Sequence, residues 1–231
     1  MVKQLQISNK AADLLILKGE VKVNQVCISE NIIVSIFDEV TFQQQLIYPS
    51  LKPLFYKLYK PIGVECTLNP AIEPNLKAFL PNNETLFHIG RLDKASEGLL
   101  ILTNIGQIHD PLLRSHSTPV WKKYYVAVDK NIQEDWLVQM QSGVKIMGQL
   151  TLPCKIEQIS ANAFYIWLNQ GLNRQIRRMC QLFDLKVTQL LRLEIGEIHL
   201  GNMQAAELIP LNNQEINYLR QLVNERKNEI N

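Results

Sequence analysis

Cysteine is scarce in this sequence, and none of it occurs in a CxxC pair. The four cysteines, Cys27, Cys66, Cys154 and Cys180, lie far apart along the chain. Zinc knuckles need closely spaced pairs of thiols, so the spacing argues against that class of RNA-binding module. Isolated thiols suit a reducing compartment, where we expect them to fill gaps in the core.

Long apolar runs are also missing. No segment approaches the roughly 18 consecutive apolar residues of a membrane-spanning helix. The opening segment, MVKQLQISNKAADLL, lacks the basic stretch and the following apolar run of an export signal. We therefore expect a cytoplasmic protein without a membrane partner.

Neither sign of charge is in strong excess. The chain has 24 Lys and Arg against 22 Asp and Glu, which gives a formal net charge of +2. A positive field over the whole molecule is therefore absent. Any contact with nucleic acid must come from a local basic surface.

The chain divides into a small N-terminal unit, residues 1–50, and a larger domain, residues 54–231. The small unit predicts a helix from Asn9 to Leu17, a hairpin turning at Asn24, and one further strand over DEVTFQQQLI. The segment YPSLKPL contains two prolines and predicts a linker.

The larger domain predicts an α+β fold with a mixed, largely antiparallel sheet flanked by helices. Its strand-like segments are FYKLYK, GLLILT, WKKYYVAV, AFYIWL and KVTQLLRLEI. A helix over IQEDWLVQMQSG is expected to end at Gly143. Asn212 and Glu215 match a capping box that begins a last helix, which we expect to extend to about Asn224.

The segment HIGRLDKASEGLLILTN places a polar turn immediately before an apolar strand. The turn contains Arg91, Asp93, Lys94, Ser96 and Glu97. Turns at strand ends often carry functional side chains. An aspartate in such a turn also commonly bonds only to its own backbone, and the local pattern alone favours that structural role for Asp93.

The segment NQGLNRQIRRMCQLF predicts a helix capped by Asn173. Its apolar positions follow helical spacing, and three arginines lie on the other side. From residue 171 to residue 192 there is one anion, Asp184, against five cations: Arg174, Arg177, Arg178, Lys186 and Arg192. This local patch suits phosphate contacts, although a solvated basic helix face is an equally simple explanation.

The strand WKKYYVAV interleaves aromatic residues with lysines. Such a mixture can stack a base and hold its phosphate. An edge strand protected by lysines would have the same composition, so the strand alone does not decide between the two.

Four segments resemble the RsuA/RluF family of ribosomal-RNA pseudouridine synthases. GRLDKASEGLLILTN resembles the family's G-R-L-D-x-x-[ST]-x-G-L-[LI]-x-L-T-N motif, and KLYKPIGV resembles its first motif. KKYYVAV is similar to its K-x-Y-x-V strand, and GLNRQIRRMC to its arginine motif. The similarity extends from about residue 10 to residue 220. The segments VDKNIQEDWLVQMQSGVKIMG and LTLPCKI resemble the F-type enzymes of the large ribosomal subunit.

The resemblance implies an enzyme that isomerises uridine in structured RNA without a cofactor or metal. By the same likeness Asp93 is the catalytic carboxylate, Tyr124 stacks on the uracil, and Arg177 holds Asp93 ionised. Leu190 is expected to pack against the site. Arg91 is expected to fill the gap left by the extruded base. The other residues expected to bind RNA are Lys60, Lys122, Arg174, Arg178 and Arg192.

The implied substrate is 23S ribosomal RNA or a tRNA anticodon, and we expect a monomer. Residues 1–50 resemble a shortened S4 RNA-binding domain, in which Asn9 and Lys10 replace the usual basic pair. Residues 1–52 contain five lysines and five acidic residues. We therefore expect the catalytic domain to supply most of the RNA affinity.

Two other functions are compatible with parts of the sequence. One is a catalytically silent RNA-binding or ribosome-assembly factor with the same fold, against which the intact set of Asp93, Tyr124 and Arg177 argues. The other is a hydrolase that pairs the carboxylates of Asp93 and Glu97. Gly98 and the strand that follows it argue against the helix which that pairing would need.

Overall fold

The computed structural model describes residues 1–49, 52–81, 85–114 and 119–230. The predicted linker YPSLKPL therefore lies partly outside the described residues. None of the helices in this part of the chain combines the length and the apolarity that crossing a bilayer needs.

The N-terminal unit is a small antiparallel sheet preceded by two helices. Its elements are α1 (Val2–Leu5), α2 (Asn9–Leu17), β1 (Val21–Val23), β2 (Val26–Cys27), β3 (Val40–Phe42) and β4 (Gln45–Tyr48). The strand order is β2-β1-β3-β4. Helix α2 confirms the predicted helix, and the Ser8 hydroxyl accepts a hydrogen bond from the Ala11 backbone N–H at its start (3.2 Å).

The single strand predicted over DEVTFQQQLI is wrong, because the chain forms the hairpin β3–β4 there. Gln43 and Gln44 form its two-residue turn with φ of 50° and 66°. Such a turn needs positive φ at both positions, which Asn-Gly normally signals and glutamine does not. The turn was therefore invisible in the sequence.

The larger domain is built on one mixed sheet, with strand order β11-β12-β8-β13-β7-β5-β15. Its strand pairs are antiparallel except for the parallel pairing of β7 with β13. The predicted mixed, largely antiparallel sheet is thus confirmed. The strands of the domain are β5 (Phe55–Lys60), β6 (Phe87–Ile89), β7 (Glu97–Thr103), β8 (Lys122–Val128), β9 (Lys145–Ile146), β10 (Gln149–Leu150), β11 (Lys155–Ser160), β12 (Ala163–Leu168), β13 (Val187–Ile195), β14 (Ile198–His199) and β15 (Leu208–Pro210).

Helices cover both faces of this sheet. Its α-helices are α3 (His109–Arg114), α4 (Glu134–Ser142), α5 (Gln175–Gln181) and α6 (Asn213–Ile230). Helices α3 and α6 share a hydrophobic cluster with β5 and β7. Helices α4 and α5 pack with β8 and β12 around Phe164 and Ile166, both fully buried. Strand β13 contributes Leu190 to the second cluster and Leu191 to the first. Because neighbouring residues of a strand point to opposite sides, the two clusters lie on opposite faces of the sheet.

The predicted C-terminal end of α4 and the predicted start of α6 are confirmed. Helix α4 is followed by Gly143 at φ 98°. The capping box of α6 is complete, because the Asn212 N–H donates to the Glu215 carboxylate (2.9 Å) and the Glu215 N–H donates to the Asn212 side chain (3.0 Å). Helix α6 extends to Ile230, beyond the predicted end near Asn224. Glu215 also accepts from the buried Lys57 ammonium (2.6 Å), which ties α6 to β5.

Candidate active site

The parallel pairing of β7 with β13 brings the polar turn beside the strand that carries Leu190. Arg192 pairs with Gly98 in this register. A Cβ atom on Gly98 would lie 2.4 Å from the Arg192 carbonyl oxygen, and φ at Gly98 is +106°. Glycine is therefore required for the close approach of the two strands.

Asp93 lies in the turn before β7, at a small cavity of about 120 Å³. Tyr124, Arg174 and Leu190 also line this cavity. A larger adjoining cleft of about 810 Å³ shares Asp93, Tyr124 and Arg174 with it, and Arg91 and Lys94 line its walls. The side chain of Asp93 is 31% exposed, so it is accessible to a ligand in the cavity.

Strand alternation separates Tyr124 from Tyr125. Tyr124 lines the cavity with Asp93, whereas Tyr125 packs edge-to-face against Tyr165 on the other side of the sheet, with ring centroids 6.2 Å apart. The structure therefore brings Tyr124, and not its neighbour, to the carboxylate.

The turn that carries Asp93 is anchored by residues from outside it. The Leu92 N–H donates to the Cys66 sulfur (3.3 Å), and the Gly63 N–H donates to the Lys94 carbonyl (2.7 Å). Within the turn, the Ser96 N–H donates to the Asp93 carbonyl (3.0 Å). Burial raises the pKa of the Cys66 thiol, which keeps it neutral as a packing and acceptor group.

Arg177 holds the same turn from α5. Its guanidinium donates to the Ala95 carbonyl (2.7 Å), the Ser96 hydroxyl (3.4 Å) and the Val187 carbonyl (3.2 Å). Burial lowers the pKa of Arg177, and the nearby Arg174 lowers it further, while Asp93 acts in the opposite direction. The Nε of Arg177 is buried without a hydrogen-bond partner in the described part of the chain.

The arginine nearest to the carboxylate differs from the expected one. Among the described residues, Asp93 forms its ion pair with Arg174, whose Nη1 lies 3.8 Å from Oδ2. Arg177 instead bonds the backbone two residues further along. A direct contact between Arg177 and Asp93, as the sequence predicted, is thus not the arrangement of this structure, because the guanidinium is occupied by the turn.

The cap predicted for α5 is also wrong. Arg174, with φ 52° and ψ 33°, is the N-cap residue, and Asn173 lies outside the helix. The Asn173 carbonyl and side-chain oxygen accept from Arg178 (3.0 and 3.2 Å). Arg178 is therefore half-buried against the loop, while Arg174 stays exposed at the cavity.

Three of the residues expected to bind RNA are buried. Lys60 is fully buried, and its ammonium donates to the Pro61 and Val64 carbonyls (2.8 Å each). Lys122 is 7% exposed and donates to the Val120 carbonyl (3.1 Å). Arg192 is 3% exposed and donates to the Leu99 carbonyl (2.7 Å). Each of these cations bonds a backbone oxygen inside the domain, and Lys122 and Arg192 also line the larger cleft beside Asp93.

The burial of Lys122 predicts a pH-dependent stability difference. Burial, with the nearby Arg192, lowers the pKa of Lys122 to about 8, from 10.5 for a lysine in water. Below pH 8 the lysine is charged in both the folded and the unfolded chain, so the folded state carries the full desolvation cost. That cost disappears as the pH rises from 8 to 10.5.

We therefore expect Lys122→Met to raise the free energy of unfolding at pH 7 by about 1–3 kcal/mol. The gain should shrink steadily in urea titrations between pH 8 and pH 10. Lys123→Met, which removes the neighbouring lysine from the opposite face, controls for the loss of a lysine from the same strand. A gain that stays constant with pH would contradict the buried, charged state of Lys122.

Glu97 belongs to a different surface. Its carboxylate accepts from the Tyr59 hydroxyl (3.1 Å) and the Gln189 side chain (2.8 Å). The residue is part of β7, next to Gly98, rather than on a helix with Asp93. The carboxylate pair that a hydrolase would need is therefore not assembled.

Sequence reasoning missed two residues of the cavity, Gln170 and Gln175. Both line it, and Gln175 is only 4% exposed. Gln170 precedes the arginine-rich segment and Gln175 lies within it, but glutamine carries no charge and draws no attention in a search for catalytic groups. Within the described residues, no group of three or more His, Cys, Asp or Glu side chains is suited to hold a metal ion.

A family model described as RNA pseudouridylate synthase matches residues 55–182, more than half of the chain. The chain belongs to this family. It is an RNA pseudouridine synthase, an enzyme that isomerises uridine to pseudouridine in RNA.

Comparison with individual proteins extends the match to nearly the whole of this chain. The dual-specificity RNA pseudouridine synthase RluF of Escherichia coli (strain K12) is 35% identical over 225 residues, covering 96% of this chain and 77% of that protein. The ribosomal large subunit pseudouridine synthase B of Bacillus subtilis (strain 168) is 29% identical, covering 96% of this chain and 93% of that protein. A crystal structure of a pseudouridylate synthase aligns with a TM-score of 0.69 and 25% identity, covering 94% of this chain and 96% of that one.

Proposed function

We propose that Asp93 is the catalytic carboxylate of this synthase and that Tyr124 stacks on the target uracil. The proposal is carried by one observation: an accessible carboxylate and an aromatic ring line the same small cavity, beside a larger cleft with exposed cations. A nucleotide in duplex RNA cannot reach such a cavity while stacked, so the target must flip out. Flipping costs a few kcal/mol, and least for an unpaired or bulged nucleotide.

The reaction breaks the N1–C1′ bond of uridine and joins C5 to C1′. The C5 proton leaves and N1 gains a proton, so the composition is unchanged and no oxidant or reductant is consumed. Asp93 serves as nucleophile at C1′ or as base toward the ribose. Arg177 positions Asp93 by holding the turn at Ala95 and Ser96, and Arg174 supplies a charge near the carboxylate. Leu190 packs beside the uracil.

The RNA is held by the rim of the larger cleft. Arg91 and Arg174 are exposed there, and Arg91 is placed to fill the gap left by the flipped base. Arg178 adds charge next to this rim. The N-terminal unit, residues 1–50, acts as a shortened S4-like domain whose balanced charge adds little affinity.

The substrate is 23S ribosomal RNA, with a tRNA anticodon as the second candidate, and the enzyme acts as a cytoplasmic monomer. The relative from Bacillus subtilis is named for the large ribosomal subunit, and the RluF relatives are named dual-specificity enzymes.

Mapping pseudouridines in total RNA tests this substrate assignment. After carbodiimide treatment and mild alkali, RNA from cells lacking the gene should lose the alkali-resistant adduct, read as a reverse-transcription stop, at one or a few uridines of 23S rRNA. Expression of the wild-type chain should restore the signal, and the Asp93→Asn chain should not. An unchanged map in both ribosomal and transfer RNA would contradict the proposal.

A further inference from the structure

Two side-chain amides bond each other beside the cavity that contains Asp93: Gln170 in the loop between β12 and α5, and Gln175 at the start of α5. The Leu172 N–H donates to Gln175 Oε1 (3.0 Å). Gln175 Nε2 donates to Gln170 Oε1 (3.4 Å), which also accepts from the Leu152 N–H (3.1 Å). Both glutamines line the cavity that contains Asp93 and Tyr124.

The orientation of both amides is fixed by backbone donors. The N–H groups of Leu172 and Leu152 can only donate, so an oxygen must face each of them. If either amide were flipped, its NH₂ group would face a backbone N–H, so that two donors would point at each other. The usual ambiguity between O and N in glutamine is therefore absent here. The Gln170 oxygen is thereby used twice, and in the described part of the chain its Nε2 has no hydrogen-bond acceptor.

We infer that Gln170 is a specificity-determining residue, whose Nε2 donates a hydrogen bond to a carbonyl oxygen of the flipped uracil. The inference rests on the proposed use of this cavity for the target base. A half-buried donor of fixed direction favours an acceptor in the cavity. Uracil offers O2 and O4, whereas cytosine has a donor amine in place of O4.

The isomerisation itself makes a fixed donor useful before and after the base turns. Moving C5 to the place of N1 requires rotation of the uracil about the axis through N3 and C6. That rotation exchanges O2 and O4, so the same donor meets a carbonyl in uridine and in pseudouridine. Cytosine would place its amine against Gln170 in one of the two orientations. The Gln170 amide can thus donate to uracil both before and after the rotation, whereas with cytosine it would face an amine in one of the two orientations.

Atomic substitution in the substrate separates this role from a structural one. In stem-loop RNAs with 2-thiouridine or 4-thiouridine at the target position, sulfur replaces O2 or O4. Sulfur is the weaker hydrogen-bond acceptor, so each RNA weakens one of the two acceptors of the base. Wild-type enzyme should lose about 10-fold in kcat/KM on at least one of them. Gln170→Met should be about 10- to 100-fold slower on ordinary RNA and should show no further thio penalty. A variant that only distorts the loop would keep the wild-type penalty on both thio RNAs, and this result would overturn the inference.

Base preference gives a second readout that does not depend on turnover. In the Asp93→Asn background, RNA with uridine at the target should bind more tightly than RNA with cytidine. Adding Gln170→Glu keeps the oxygen that Leu152 and Gln175 need and replaces the donor by an acceptor, so the preference should collapse or invert. Gln158→Glu, on the exposed face of β11, is the matched control and should keep the preference. An unchanged preference with Gln170→Glu would reject the role.

The two proposals fail in different ways. If wild-type enzyme does not convert uridine in the RNA, or if Asp93→Asn does, the proposed use of Asp93 is wrong. If wild-type turnover depends on Asp93 but the thio penalties are independent of residue 170, only the inference about Gln170 fails.

Discussion

Asp93→Asn is expected to reduce the rate of pseudouridine formation by about 10⁴-fold or more. Asparagine has nearly the same shape as aspartate, but it carries no charge and can act neither as nucleophile nor as base. Release of tritium from RNA labelled at C5 of uridine measures the loss, because the C5–H bond must break in every turnover.

The same substitution should leave the fold and the affinity for RNA nearly unchanged. Asp93 is partly exposed, and its described ion pair with Arg174 is long, at 3.8 Å. An exposed pair of this kind contributes little to stability. Loss of folding together with activity would therefore weaken the catalytic assignment, and the urea midpoint of the variant controls for it.

Arg177→Met is expected to reduce kcat by about 10²- to 10³-fold while KM changes little. The guanidinium holds the carbonyl of Ala95 and the hydroxyl of Ser96, and both follow Asp93 closely in the chain. Without it, the turn can place the carboxylate wrongly against the ribose. The effect on kcat is measured in single turnover with saturating enzyme, which separates chemistry from RNA binding.

Arg177→Lys distinguishes positioning from charge. Lysine keeps the positive charge but cannot form the forked set of bonds to Ala95, Ser96 and Val187. We therefore expect most of the loss in kcat to remain with lysine. Full recovery with lysine would mean that the charge, and not the geometry of the turn, matters at this position. Arg178→Lys, on the same helix, is the matched control for a changed arginine.

The sequence predicted the domain fold well where local pattern and tertiary packing agree. The buried strand GLLILT, the helix closed by Gly143 and the capping box at Asn212 follow from hydrophobic period and end signals, and each is present. The hairpin at Gln43 was missed because positive φ at glutamine has no compositional signal. A cap at Asn173 was expected, but the chain turns through Arg174 with left-handed backbone.

The candidate site was only partly predictable, because charge alone does not tell whether a side chain faces a partner or a carbonyl inside the protein. The sequence predicted RNA binding by three cations that each donate to a backbone oxygen within the domain: Lys60, Lys122 and Arg192. Gln170 gave no signal at all, since its importance depends on which of its two polar atoms is already bonded. These hydrogen bonds form only in the folded chain, where residues distant in sequence come into contact, so the sequence could not predict them.

A structure of the Asp93→Asn enzyme bound to substrate RNA is the most direct test of this account. We expect the target uridine to be flipped out, with its C1′ against the side chain of residue 93 and its base on the ring of Tyr124. A target uridine that remains stacked in the RNA, or a ribose placed against a different carboxylate, would contradict it.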